Sequence, residues 1–120
     1  MPTRALAARE LAKFFGIFSH PDRLRIVEEL REGERDVNAL QDALGVSHSR
    51  TSQNLAVLRS HRIVVERREG RHVFYRLAHP EVADWVLDGL RFLEADLAEV
   101  VQRRLAIEAA RQVWNPKQQA

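Results

Sequence analysis

Residues 44–77 read LGVSHSRTSQNLAVLRSHRIVVERREGRHVFYRL, a short polar helix, a basic bend and two strands hinged at a Glu-Gly turn. Ser47 is a good N-cap residue, and Thr51, Leu55 and Leu58 recur at spacings of four and three, which makes one buried stripe. At about 100° per residue, Ser49 and Gln53 point away from that stripe, flanked by Arg50, Ser52 and Ala56. Short hydrogen-bonding side chains and a guanidinium on an outward face are the groups that reach base edges and phosphates in a major groove. Beyond the bend, Ile63 to Val65 and His72 to Leu77 flank the charged tip Glu66–Arg71. Alternation places Val73, Tyr75 and Leu77 on one face, and Gly70 supplies the positive φ of a tight turn. Helix plus hairpin predicts a winged helix-turn-helix. Residues 45–76 hold seven arginines against two acidic residues, a net +5 in a chain whose total is +2, so positive charge is expected where phosphates would lie.

At 120 residues and 45% hydrophobic content the chain is expected to form one globular domain over 1–114, with a polar, disordered tail over 115–120. The core of so short a chain is small, and pairing with a second copy is the usual remedy. No run of about 18 apolar residues exists to cross a bilayer, so a cytoplasmic location and no membrane partner are expected. The absence of cysteine excludes disulfides, thiolate metal sites and thiol redox sensing. Outside the basic block, residues 77–100 carry a net −5 and face solvent or another subunit rather than nucleic acid.

A first helix is predicted over Thr3–Phe18, carrying Leu11, Phe15 and Phe18 at helical spacing. A second starts at Pro21 with Ser19 or His20 as its cap, and a third covers Asp36–Leu44 and stops at Gly45. One long last helix is predicted from Glu81 to Trp114, roughly 50 Å at about 1.5 Å per residue. Along it Val86, Leu90, Leu93, Leu97 and Val100 alternate spacings of four and three, the period of a helix packed along another helix. Trp85 widens this face. Together with Leu11 and Phe15 it predicts a symmetric dimer, which would set two reading helices about 34 Å apart on one side of a palindromic duplex.

This order of elements resembles the ArsR-type (ArsR/SmtB) bacterial repressors. The match rests on Ser19-His20-Pro21-Asp22-Arg23-Leu24-Arg25-Ile26, Leu44-Gly45-Val46-Ser47, Leu55-Ala56-Val57-Leu58-Arg59, and Arg68-Glu69-Gly70-Arg71 leading to Tyr75-Arg76-Leu77. The resemblance implies a mainly α fold with a small β-hairpin wing, dimeric and with a long C-terminal helix, and a repressor that leaves its operator when an effector binds. It places His48, Ser49, Arg50, Gln53 and Asn54 in the major groove, and Arg67, Arg68 and Arg71 on the flanking minor groove or backbone. His72 is also assigned to the DNA face.

The departures matter as much. Where many relatives carry a Cys-x-Cys metal pair on the third helix, this chain has Asp36 and Asn38. For the family's metal site on the last helix, taking His79 as first ligand gives Glu81, Phe92 and Ala95. The other register gives Leu77, Leu90 and Leu93 beside His79. Neither makes a four-ligand cage. His79 and Glu81 remain the one candidate metal pair, with His72 or Asp84 as a third donor, against the reading of His79 as a helix cap. No cofactor is expected. No nucleophile-base set, glycine-rich phosphate loop or paired carboxylates in an apolar setting can be read, so an enzyme is not expected. Double-stranded DNA, a second copy and a small-molecule effector are the expected partners. The alternative is a winged-helix module that binds another protein through the long helix.

Overall fold

In the computed structural model, which describes residues 3–114, local capping rules set most element boundaries. Helix α1 (Thr3–Ile17) stops where Ser19 turns back to donate its hydroxyl to the Gly16 carbonyl at 2.7 Å. Ser19 therefore closes α1. Helix α2 (Pro21–Glu29) begins with proline in the position where a missing N–H costs nothing, and its N-cap residue is His20, whose side chain makes no cap bond. Strand β1 (Arg35–Asp36) follows, and Asp36 is also the N-cap of α3 (Val37–Leu44), accepting from the Asn38 amide at 2.6 Å. Gly45, at φ 67°, ends α3 in the left-handed conformation that glycine tolerates.

Helix α4 (His48–Ser60) is capped by Ser47, whose hydroxyl accepts from the Arg50 amide at 3.1 Å. Thr51, Leu55 and Leu58 are all fully buried, and the Thr51 hydroxyl is satisfied by donating to the Ser47 carbonyl at 3.0 Å. At its far end the Arg62 amide donates to the Arg59 carbonyl at 3.0 Å and the Ile63 amide to the Leu58 carbonyl at 2.9 Å. These two bonds form a Schellman motif. Its left-handed position, at φ 60°, holds Arg62 instead of the usual glycine.

Strands β2 (Val64–Glu69) and β3 (His72–Leu77) pair antiparallel from Val64 opposite Leu77 to Glu69 opposite His72. Gly70, at φ 60°, takes the first place of the two-residue loop. The sheet order is β1-β3-β2, with Arg35 opposite Tyr75. Strand β1 was not foreseen, because two residues carry no period. The core gathers Ile17, Phe18, Ile26, Val27, Leu30, Leu40, Leu55, Leu58, Ile63, Val64, Leu77 and Ala83.

The single long last helix predicted over Glu81–Trp114 is two helices, α5 (Glu81–Asp88) and α6 (Leu90–Trp114), broken at Gly89. Glycine is the residue that a helix interior accepts least readily after proline, and the Gly89 carbonyl accepts from the Phe92 amide in a tighter turn at 3.1 Å. The chain divides into two compact units, Met1–Leu87 and Asp88–Ala120. In the second unit, α6 runs 25 residues without a buried side chain. The tail expected over 115–120 lies outside the described residues. No helix among the described residues is long and apolar enough to cross a membrane.

Candidate nucleic-acid interface

Because Thr51, Leu55 and Leu58 lock one side of α4 into the core, the opposite side is fixed in azimuth and presents Ser49 and Gln53, while Ser47, His48 and Arg50 at the start of the helix are exposed as well. Their hydrogen bonding sorts them. His48 is bracketed, with Nδ1 3.3 Å from Gln41 Oε1 on α3 and Nε2 3.3 Å from the Ser52 hydroxyl. The tautomer that donates from Nδ1 accepts at Nε2. Arg50 donates from Nε (3.1 Å) and Nη2 (2.6 Å) to Asp22 Oδ2 on α2. Asn54 is half-buried, donating to the Arg50 carbonyl at 2.9 Å and accepting from Arg23 Nε at 3.2 Å. Ser49 and Gln53 are thereby left as the outward pair, one turn apart, whose hydrogen-bonding groups have no protein partner among the described residues.

The wing is far more neutral than its arginine count suggests. Arg67 is held by Glu34 (2.6 Å) and Glu69 (2.6 Å) and lies 4.5 Å over the Phe74 ring. Those carboxylates push its guanidinium pKa up, and the Arg67 hydrogen bond holds Glu34 below the ordinary carboxylate value. Arg68 and Arg59 both pair with Glu66, at 3.0 and 2.7 Å. The Arg68 bond leads the effects that lower the Glu66 pKa, and Glu66 also accepts from the Tyr75 hydroxyl at 3.1 Å. Burial, followed by that bond, pushes the Tyr75 pKa up. His72 Nδ1 sits 3.1 Å from Asp36, whose pKa is lowered chiefly by the Asn38 amide and then by His72. Of the seven arginines, Arg62, Arg71 and Arg76 make no ion pair among the described residues, although Arg76 adds to the lowering of the Glu34 pKa through space. Sequence counting missed this because Asp22 and Glu34 lie 28 and 33 positions from the arginines they neutralise.

The residues expected at a dimer interface divide as well. Leu11, Phe15, Trp85, Leu90, Leu93, Leu97 and Val100 are each between 48% and 64% exposed, whereas Val86 packs half-buried on the chain's own core. Phe15 stacks on Trp85 at 5.4 Å. As for metals, His79 and Glu81 stand 3.8 Å apart with both side chains more than 70% exposed. The suggested third donors are committed elsewhere, Asp84 to Arg31 at 3.0 Å and His72 to Asp36. Among the described residues no group of three His, Asp or Glu is placed to hold an ion.

A helix-turn-helix with its second helix presented outward and a β-hairpin beside it defines a winged helix-turn-helix DNA-binding protein. The profile of the family described as "Bacterial regulatory protein, arsR family" matches residues 20–65. An uncharacterised HTH-type transcriptional regulator of Mycobacterium tuberculosis, Rv0081, is 37% identical over 97 residues, 80% of this chain and 82% of that protein. Its crystal structure superposes with a TM-score of 0.67 over 84% of this chain and 98% of the other, at 35% identity. The biofilm growth-associated repressor of Xylella fastidiosa is 40% identical over 66% of this chain and 69% of that protein. The homodimeric winged helix-turn-helix DNA-binding domain Mb0332 of Mycobacterium bovis, solved by NMR, superposes with a TM-score of 0.68 at 29% identity, over 82% of this chain and 92% of the other. The chain belongs to the arsR family of bacterial transcriptional regulators.

Proposed function

We propose that the protein is a homodimeric repressor that reads a palindromic operator through Ser49 and Gln53 of each protomer. The observation that carries this reading is the selective freedom of those two side chains on an α4 face where every other polar group outside the N-cap is tied back to α2, α3 or α4 itself. Glutamine can meet adenine with two bonds, and serine accepts or donates at any base. Arg71 at the wing tip supplies a backbone contact, and Arg50 joins by leaving Asp22 for a phosphate. In the first unit the exposed apolar side chains Leu11, Phe15 and Trp85, and in the second Leu90, Leu93, Leu97 and Val100 along α6, each support pairing of two copies. The repressors among its relatives support the sign of regulation. Without cysteine there is no thiolate for arsenite or an oxidant, and because His79 and Glu81 have no third donor beside them among the described residues, Zn2+ and Ni2+ are expected to leave operator binding unchanged.

The test is fluorescence anisotropy with operator and scrambled duplexes across a salt series. Gln53→Ala should cut discrimination between the two by about 1–3 kcal/mol. Arg71→Ala should weaken both duplexes alike. Equal binding of the two duplexes by the native protein would overturn the reading in favour of a protein-binding module.

A further inference from the structure

Along α1, bordered by Arg23 of α2 and His61 at the end of α4, lies a groove of about 440 Å3. Phe14 and Ile17 floor it, and Lys13, Arg23 and His61 ring it. Phe14 is a firm floor, because its ring is packed by Phe18 at 5.2 Å and Trp85 at 5.5 Å. Gly16 lines the same groove from within α1, and a Cβ built there would meet nothing within 4 Å. Packing therefore gives no reason for glycine in this helix, where it is less favourable than alanine by about 1 kcal/mol. What the missing side chain leaves is open space.

The polar rim is cationic on balance. Glu10 is the one acid on it and reaches Lys13 at 3.4 Å between two exposed side chains, a pair of little strength. Arg23 is half-buried and uses Nε for Asn54 and Nη1 for the Ile17 carbonyl at 3.3 Å, which leaves Nη2 without a protein partner among the described residues. A planar guanidinium with donors to spare above an apolar floor suits a carboxylate attached to a flat apolar body.

We infer that this groove binds a small aromatic carboxylate, which takes the spare Nη2 of Arg23, competes with Asn54 for that guanidinium and so loosens the recognition helix. The second half rests on the reading of α4 as the DNA-contacting helix. Arg23 bonds Asn54, Asn54 bonds the Arg50 carbonyl and lies 3.5 Å from Asp22, and Asp22 holds the Arg50 guanidinium, so one anion-binding side chain is two contacts from the reading face. A ligand that favours one arrangement of this chain weakens the DNA that favours the other, and the effect is reciprocal.

The experiment is calorimetry on the whole chain with 2-naphthoate as the anionic probe and 2-naphthamide as its neutral isostere, paired with operator anisotropy. Naphthoate should bind at least tenfold more tightly than naphthamide. Gly16→Leu, which fills the groove from its own wall, should cost naphthoate at least tenfold while leaving helicity and operator affinity unchanged. Lys13→Gln, on an exposed rim where folding is not at stake, should weaken naphthoate alone. Saturating naphthoate should weaken operator binding at least fivefold. No binding of naphthoate, equal binding of both probes, or indifference to both substitutions would overturn the site. Binding without any change in operator affinity would overturn the coupling. Naphthoate binding by a protein that fails to select its operator would count against the proposed function and leave the groove standing.

Discussion

Helices α4 and α6 are opposite solutions to the problem of keeping a helix in water. Helix α4 has 13 residues, and three of them are fully buried in the chain's own core. Helix α6 has 25 and buries none, although Leu90, Phe92, Leu93, Leu97, Val100, Val101, Leu105 and Ile107 all lie along it. The first is oriented by tertiary packing, so its outward face can be specific to the single side chain. The second is held by local hydrogen bonds and by exposed ion pairs such as Arg104–Glu108, each worth only a few tenths of a kcal/mol. A helix so supported gains its order from what covers it.

The largest expected effect breaks the first half of this comparison. Leu55→Ala removes a fully buried side chain from the anchored side of α4 and should destabilise the first unit by about 3–5 kcal/mol, read by urea denaturation. Leu97→Ala, at 64% exposure, should leave the same transition nearly unmoved in dilute protein. A smaller effect sharpens the second half. Leu97→Glu places a charge in the proposed seam between copies and should raise the concentration at which sedimentation detects a dimer by about a hundredfold, through the cost of burying an unpaired carboxylate. A variant that stays dimeric at nanomolar concentration would remove α6 from that interface.

Smaller still is Arg62→Gly. An L-residue in the left-handed position costs roughly 1 kcal/mol, so glycine should stabilise the first unit by up to about that amount in the same denaturation experiment. The least dramatic change is the effect of acid on the wing. Glu34, Asp36 and Glu66 hold folded pKa values below their ordinary 4.5, 3.8 and 4.5, so their contribution is complete above those values and is lost as pH falls through the lowered ones. Below about pH 4, amide exchange should quicken in β2 and β3 before it does in α4, whose anchors Thr51, Leu55 and Leu58 do not titrate.

What could be read from the chain was what repeats or caps locally. The stripe under α4, the Ser47 cap, the Gly45 stop and the Gly70 turn are all short-range, and each sits where it was expected. The break at Gly89 was hidden because one glycine inside a strong apolar period is a weak signal against about thirty helical residues. Strand β1 was hidden because its partner β3 lies some forty positions further on. In the region proposed to face DNA, chemistry was legible and engagement was not. Ser49 and Asn54 look alike as hydrogen-bonding residues, and only the contacts of Asn54 with Arg23 and the Arg50 carbonyl separate a free side chain from an occupied one.

On the proposed reading of α4, the clasp between Arg50 and Asp22 has a kinetic consequence. A recognition side chain that is unpaired off DNA gains by resting on any phosphate, and so lingers at every site that it samples. Arg50 already has a carboxylate at 2.6 Å, so moving to a phosphate exchanges one ion pair for another with little net gain. Random sequence then gains little from Arg50 and holds the protein chiefly through unpaired arginines such as Arg71, so departure from it is quicker than if Arg50 were free. Only where the base-reading groups also find partners does the exchange become worth holding, and the time spent bound comes to depend on sequence more sharply than the density of positive charge along the chain would suggest.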